Sequence, residues 1–422
     1  MNEQHANRDW MKRVNRNLVL NLVKSAGPIS RKEISIRSGL SAATVTNLTA
    51  EFIAEGLVHE MGSGKAVRGR PPILLRLNTQ AGFVAGVKVM RGSLAVVVTD
   101  LDAEVIYYRA VPLTASGDGS TMSPDEVLEA VAAMVEAAFT ASGVDRSHVL
   151  GVGLGLAGLI DGQTGTCRYS PFFGWRDVDL VERLQSALGL EVFVENDVNA
   201  LTIAEQWFGH GHGRSHFAVV TIGSGIGLGL VLNGQFYRGS GGSAGELGHI
   251  TVAGDGPECT CGRRGCLEAI ASDSAVVRQV VEAIDAGEKT VLDSELVTIE
   301  AVVAAADGGD LVAQKVLAQS GHWLGVGLAT VANVLAPELI IVGGEGVAAG
   351  HWRLDPMHLA FSEHAFDHVA ERTQVIIEPA GDETWARGAA CVVLGELYKS
   401  PLLDRAAAPR EQPTATVSTS DS

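Results

Sequence analysis

Basic and acidic side chains are segregated along this chain, and that segregation excludes a single evenly charged globule. Residues 1–80 hold twelve Lys/Arg against six Asp/Glu, a local charge of +6. The remainder holds 20 against 43, a charge of −23 within an overall −17. A basic head on an acidic body reads as a nucleic-acid module joined to a module of another kind. The length of 422 residues has room for two or three domains. With 46% hydrophobic and 19% charged residues the chain has enough apolar surface to bury, which excludes global disorder. No apolar run reaches membrane-spanning length and the start, Met1 to Trp10, is polar. The expectation is therefore no membrane partner and a cytoplasmic location.

The head carries helical periodicity. Val14, Leu18, Val19, Leu22 and Val23 share one face. Ser30-Arg31-Lys32-Glu33 has the spacing of a capping box and opens a short helix ending at Gly39. Ser41 can cap the next helix, which buries Val45, Leu48 and Phe52 and ends at Gly56. Two short helices around a glycine turn make a helix-turn-helix. Two strand-like pieces follow over Val58–Leu77, around Gly62–Lys65 and Arg68-Gly69-Arg70-Pro71-Pro72, and read as a wing. The outward positions of the second helix are Ala42, Ala43, Thr44, Thr46 and Asn47. Asn pairs bidentately with adenine, and Ala or Thr methyls meet the thymine methyl. Arg68 and Arg70 lie on a thin extended segment suited to a narrow minor groove.

From Phe83 the pattern becomes α/β. Strands are predicted at Phe83–Val89, Leu94–Thr99 and Val105–Tyr108, a helix at about 123–142, a strand at Val149–Leu156, a helix at Leu180–Leu188 and a strand at Glu191–Val194. A second set begins with strands at Phe217–Ile222, Gly227–Leu232 and about 248–252. Helices near 272–286, 299–306 and 310–334 follow, then a strand at Leu339–Val342. The repeated order predicts two related lobes with a cleft between them. Residues 404–422, rich in Ala, Pro, Ser and Thr, are expected to be a disordered tail.

Three constellations in the body carry chemistry. His249, Cys259, Cys261 and Cys266 offer one imidazole and three thiols, a donor set that suits tetrahedral zinc with no position left for water. One structural Zn2+ per chain is therefore expected. Glu195-Asn196-Asp197 follows a strand and precedes a helix, where a carboxylate can accept a proton from a sugar hydroxyl. Glu246 and Glu268 are drawn to the same place by the metal loop. Gly223-Ser224-Gly225-Ile226-Gly227 leads into a strand rather than a helix, which excludes a dinucleotide fingerprint. It is either a plain turn or a loop that presents N–H groups to a phosphate. Gly343-Gly344 is a second step of that kind.

Together these residues resemble the ROK family of repressors and sugar kinases. The stretch TIGSGIGLGLVLNGQFYRGSGGSAGELGH, Thr221 to His249, is similar to the family signature. CTCGRRGCLE, Cys259 to Glu268, is similar to its zinc loop, and ENDVNA, Glu195 to Ala200, to its catalytic segment. The resemblance covers about residues 14–400. It implies an actin-like, two-lobed fold with the sugar bound by Gly158, Asn196, Asp197, Glu246, His249 and Glu268. Asp197 stands where the kinases carry their general base, and a winged helix-turn-helix is what the family's repressors add. Kinases of the family open the body with an Asp-x-Gly-Gly-Thr turn, whereas here Lys88-Val89-Met90-Arg91-Gly92-Ser93 stands in its place. Phe172-Phe173 is a second departure, at a place where the kinases tend to carry Asn.

The resulting expectation is a DNA-binding module over residues 1–80, a sugar-binding module over 81–403 and the tail over 404–422. The function expected is a sugar-responsive repressor of carbohydrate uptake or catabolism genes, not an enzyme. Its expected partners are operator DNA, a sugar or sugar phosphate, and further copies of itself in a homodimer or homotetramer. Two other readings stand beside it: a bifunctional regulator that still phosphorylates its sugar, and a DNA-binding scaffold with an empty cleft.

Overall fold

The structure, a computed structural model, describes residues 3–63, 72–113 and 122–398. The expected tail at 404–422 and the wing-tip arginines Arg68 and Arg70 lie outside the described residues. The described residues fall into two compact units, one formed by those up to Ala81 together with 395–398 and the other by those within Gly82–Leu394.

The first unit is a winged helix-turn-helix. Helices Glu3–Ser25, Arg31–Ser38 and Ala42–Ala54 pack beside a three-stranded sheet of Ile29–Ser30, Ile73–Leu77 and Val58–Ser63, in that spatial order. Ser30 accepts the Glu33 N–H, Gly39 closes its helix at φ +70°, and Ser41 accepts the Thr44 N–H. Only half of the expected capping box forms, because the Glu33 carboxylate pairs with Arg37 one turn on. Val19, Ile34, Val45, Phe52 and Leu75 are buried between these elements. Within the same unit Asn21 donates to the Tyr398 carbonyl at 2.8 Å.

The second unit contains two five-stranded sheets of identical topology. In the first, spatial order is Val105–Pro112, Ser93–Thr99, Phe83–Val89, Val149–Leu156, Val192–Asn196. In the second it is Gln235–Phe236, Ile226–Leu232, Phe217–Ile222, Leu339–Gly343, Gln374–Glu378. Each begins with antiparallel pairs and ends with parallel ones. This duplication gives the two related α/β lobes expected from the repeated pattern, in the actin-like arrangement that the family resemblance implies. Glycines bring layers together. A Cβ at Gly86 would lie 2.1 Å from the Ala386 carbonyl oxygen, and one at Gly153 1.9 Å from that of Ala389. Their absence lets the helix Asp382–Tyr398 sit directly on the first sheet.

The topology places the candidate residues. Val89, Leu156, Asn196, Ile222 and Gly343 end their strands at or near the carboxyl edge. In open α/β sheets ligands gather at that edge. The strand expected at about 248–252 is instead a tight turn, Leu247–His249, followed by a single bridge from Thr251 to Cys266. That turn swings His249 out of any strand register.

Candidate functional site

The metal cluster is built from backbone constraints. Cys259 N–H donates to the Arg263 carbonyl at 2.7 Å and Gly262 N–H back to Cys259 at 2.9 Å, which curls the loop. Gly265 takes φ +67°, with its Cα face so close to the Ala253 carbonyl that no side chain fits. The imidazole of His249 and the thiols of Cys259, Cys261 and Cys266 converge so that all four ligand atoms lie within 4.8 Å of one another. A tetrahedral zinc, with Zn–S of about 2.3 Å and Zn–N of about 2.0 Å, sets ligand edges of roughly 3.8 Å between sulfurs and about 3.5 Å from sulfur to nitrogen. The observed edges are 3.7 Å for Cys261–Cys266 and 3.5 Å for Cys259 to His249 Nδ1. The cluster therefore fits the ion by donor type and by spacing. Burial raises the Cys259 and Cys266 thiols, the latter to about 12 with the neighbouring thiols adding to the effect. Burial also acts on Cys261, but the Arg263 backbone N–H, the adjacent thiols and the Arg263 charge outweigh it and hold Cys261 below its ordinary value.

His249 faces two ways. Its Nδ1 belongs to the cluster, while Nε2 lies 3.8 Å from the Glu246 carboxylate. Partial desolvation raises the Glu246 pKa, with the Glu268 charge adding to it and His249 opposing it, although the side chain remains exposed. Glu246, His249 and Glu268 are thus brought together. Glu268 accepts the Ile226 N–H at 3.1 Å and a 3.5 Å contact from the Thr260 hydroxyl, tying the cysteine loop to the glycine loop.

Asn196 donates to the Gly158 carbonyl at 3.0 Å, so these two predicted residues meet. Its oxygen caps the helix Asp197–Phe208 by accepting the Val198 and Asn199 N–H groups. Glu195 is buried, and its carboxylate takes Arg238 at 2.7 Å and Asn199 at 3.0 Å. Phe173 belongs to the core, stacked on Trp175 at 4.5 Å, rather than to this site.

Asp197 forms an ion pair with Lys88, the two side chains being only 13% and 7% exposed. Sequence reasoning noticed Lys88 only as a departure from the kinase turn and missed this pairing across 109 positions. The Lys88 ammonium also lies 4.8 Å from the centroid of the Trp385 ring. On its other side Trp385 donates to Glu345 at 3.1 Å. The second carboxylate oxygen of Glu345 stands against Gly223, 2.7 Å from where a Cβ would be. Asp197, Lys88, Trp385 and Glu345 therefore form a continuous row that reaches the glycine loop. The available sequence signal for Glu345 was a charge interrupting the glycines of Gly343-Gly344-Glu345-Gly346. A cavity of about 430 Å³ beside Gly344 is lined by Glu300, Glu345, Val347, Ile377 and Ala380 among others.

On the head, Ala42, Ala43, Thr46 and Asn47 are exposed and Thr44 is half-buried. The Thr44 hydroxyl is tied to Ser41 and that of Thr46 to the Ala42 carbonyl, whereas the Asn47 amide has no partner among the described residues. Several head cations are spent internally, in the pairs Lys12–Glu51, Arg16–Glu55 and Arg31–Glu60. Among the described residues no helix is long and apolar enough to cross a membrane.

Comparison with known proteins agrees with this anatomy. The sequence profile of the ROK family matches residues 84–396. A xylose repressor of Caldicellulosiruptor bescii is 27% identical over 94% of this chain and 99% of its own length. A solved ROK family transcriptional regulator, described as a homologue of the E. coli MLC protein, superposes with a TM-score of 0.81. It is 31% identical, over 94% of this chain and 98% of the other. A ROK family glucokinase from Streptomyces griseus, solved with glucose and AMPPNP, has a TM-score of 0.64 and is 30% identical. That match covers 74% of this chain and 99% of the kinase.

Proposed function

The chain belongs to the ROK family, and from that premise we propose that it is a sugar-responsive, DNA-binding transcriptional regulator. In this reading it represses carbohydrate uptake or catabolism genes, and its kinase-like body senses a sugar without phosphorylating it. The module over residues 1–80 would contact operator DNA through Ala42, Ala43, Thr44, Thr46 and Asn47, with Arg68 and Arg70 at flanking sequence. Gly158, Asn196, Asp197, Glu246, His249 and Glu268 would bind the sugar, in the module over residues 81–403. The match to a protein named xylose repressor along nearly its whole length supports a regulator over a kinase.

One observation carries the non-catalytic part of the reading, namely the ion pair between Lys88 and Asp197. A general base must hold a hydrogen bond to the proton it removes. Here the carboxylate at that position is engaged by a buried cation, and the Glu345 carboxylate stands against the glycine loop. Phosphoryl transfer depends on positioning and on neutralising phosphate charge with cations and magnesium. A site with that arrangement keeps a sugar's acceptors and loses the nucleotide's partners.

His249, Cys259, Cys261 and Cys266 would hold one zinc ion. When bound, zinc supplies a rigid, coordinatively closed cross-link and no hydrolytic position. His249 would then be fixed with Nε2 toward Glu246, and Glu268 with its carboxylate on the Ile226 N–H, so the loop's fold and the sugar site share their supports.

Incubation of the zinc-loaded protein with Mg-ATP and a panel of sugars tests the reading. No accumulation of sugar phosphate is expected from any sugar that binds. Sustained formation at ordinary kinase rates, abolished by Asp197→Asn, would overturn it in favour of a bifunctional regulator.

A further inference from the structure

We propose that Arg238 is a positioning residue: its ion pair with the buried Glu195 clamps the loop that delivers Glu246 and His249 to the strand that delivers Asn196. The proposal rests on the sugar-site reading above, in which those side chains hold the ligand.

The two partners belong to different sheets. Glu195 lies on Val192–Asn196, the last strand of the first sheet, one position before Asn196. Its side chain is 1% exposed, and all of its partners are donors. Oε2 takes the Arg238 Nε at 2.7 Å, while Oε1 takes the Asn196 N–H and the Asn199 amide, both at 3.0 Å. The same carboxylate therefore grips Arg238 and the backbone of Asn196. Arg238 follows Gln235–Phe236, the edge strand of the second sheet, and its guanidinium lies 4.7 Å from the centroid of the Phe236 ring.

The loop beyond Arg238 needs such an anchor. Gly239, Gly241, Gly242 and Gly245 all take positive φ, so the segment leading to Glu246 is built from the residue least able to stiffen a chain. Its hydrogen bonds are mostly internal and refer back to its base. Ala244 donates to the Arg238 carbonyl at 3.0 Å and Ser243 to the Ser240 carbonyl at 3.2 Å. Gly242 rests against the first lobe, where a Cβ would lie 2.3 Å from the Ile160 carbonyl oxygen. That contact is steric, whereas the Arg238–Glu195 pair is directional and fixes register. A buried pair adds little net stability over apolar side chains of similar volume, but loss of one partner strands the other's charge. Stability and positioning can therefore be separated by removing both charges at once.

The test uses the full-length, zinc-loaded protein, Arg238→Met, and Glu195→Gln combined with Arg238→Met. The ligand is the free sugar that the wild type binds in a calorimetric screen of aldopentoses, aldohexoses and N-acetylhexosamines. Arg238→Met keeps the apolar stem over Phe236, should lower the melting temperature, and should weaken sugar binding by about tenfold or more, as loss of preorganisation does. The double variant should regain most of the melting temperature and still bind the sugar about tenfold more weakly than the wild type. Hydrogen exchange reads the clamp without any ligand. In the double variant, amides within 239–249 should exchange about fivefold faster or more, while the strand Phe217–Ile222 keeps its wild-type rates. Wild-type sugar affinity in the double variant reduces the pair to charge balance and overturns the proposal, as does unchanged exchange in the loop. A double variant that does not fold makes the pair a requirement for folding and equally contradicts a separate positioning role. A wild-type protein that binds no sugar overturns the sugar-sensing reading instead, and the exchange of the loop still decides whether the clamp exists.

Discussion

Asn47 is exposed on the helix Ala42–Ala54 with no partner for its amide among the described residues, while the hydroxyls of Thr44 and Thr46 are occupied locally. It is thus the side chain of that face best able to read a base edge. Asn47→Ala should cost about 1–3 kcal/mol of specific operator affinity and relax discrimination at one base position, as read by fluorescence anisotropy on single-base operator variants. Cys261→Ser removes one corner of the thiol cluster. Zinc by elemental analysis should fall from about one ion per chain to a small fraction of that, with a lower melting temperature, since ligation and loop folding are one equilibrium. Unchanged zinc content would contradict the ligand set. Glu205 lies outside both sites and illustrates a cost the fold tolerates. Burial raises its pKa, opposed by the His210 N–H at 2.8 Å. A carboxyl group raised in the folded state favours folding most when protonated. Its contribution is complete below the ordinary carboxylate range and is lost as pH rises through the raised value. Glu205→Gln should therefore raise the melting temperature at pH 7, by on the order of 2 °C. The gain should vanish at acidic pH, below the ordinary carboxylate range.

At the scale of elements, close approach of backbone explains which glycines matter. Gly86→Ala or Gly153→Ala would drive a methyl group into the backbone of the helix Asp382–Tyr398 and should destabilise by about 2–3 kcal/mol, as overpacking does. Gly92 has open space around it and an ordinary φ, so Gly92→Ala should be near neutral in the same denaturant titration. Equal effects at the three positions would contradict this packing. Strands such as Val149–Leu156 and Phe217–Ile222 are readable from sequence because buried apolar runs leave little choice of conformation. The small antiparallel sheet of Leu159–Asp161, Thr166–Ser170 and Trp175–Asp179 is not, since its strands are short and partly polar. The helix His351–His364 hides behind an internal Pro356, and Gln374–Glu378 behind its polar ends. The His/Cys cluster is legible because three thiols and an imidazole within eighteen positions have little else to do. The row from Asp197 through Lys88 and Trp385 to Glu345 is not, since nothing local to Lys88 announces a partner 109 residues away.

For the whole molecule, the uneven charge acquires a physical sense. The head carries +6 and the remainder −23, so in the proposed reading attraction to DNA is confined to the module that would contact it. Internal pairs such as Arg31–Glu60 reduce the cations available for phosphate, so specificity leans on base contacts. In the proposed reading a sugar biases the arrangement of the two lobes built on these sheets, and it shifts DNA affinity only as far as it binds two arrangements unequally. The most direct test is a titration of the zinc-loaded, full-length protein onto its operator, with and without a saturating sugar identified by calorimetry and with no ATP present. The account predicts a change in operator Kd of about tenfold or more, a coupling near 1.4 kcal/mol, that is abolished by Glu246→Gln at the same sugar concentration. An operator Kd that stays the same when the cleft is demonstrably full would contradict it.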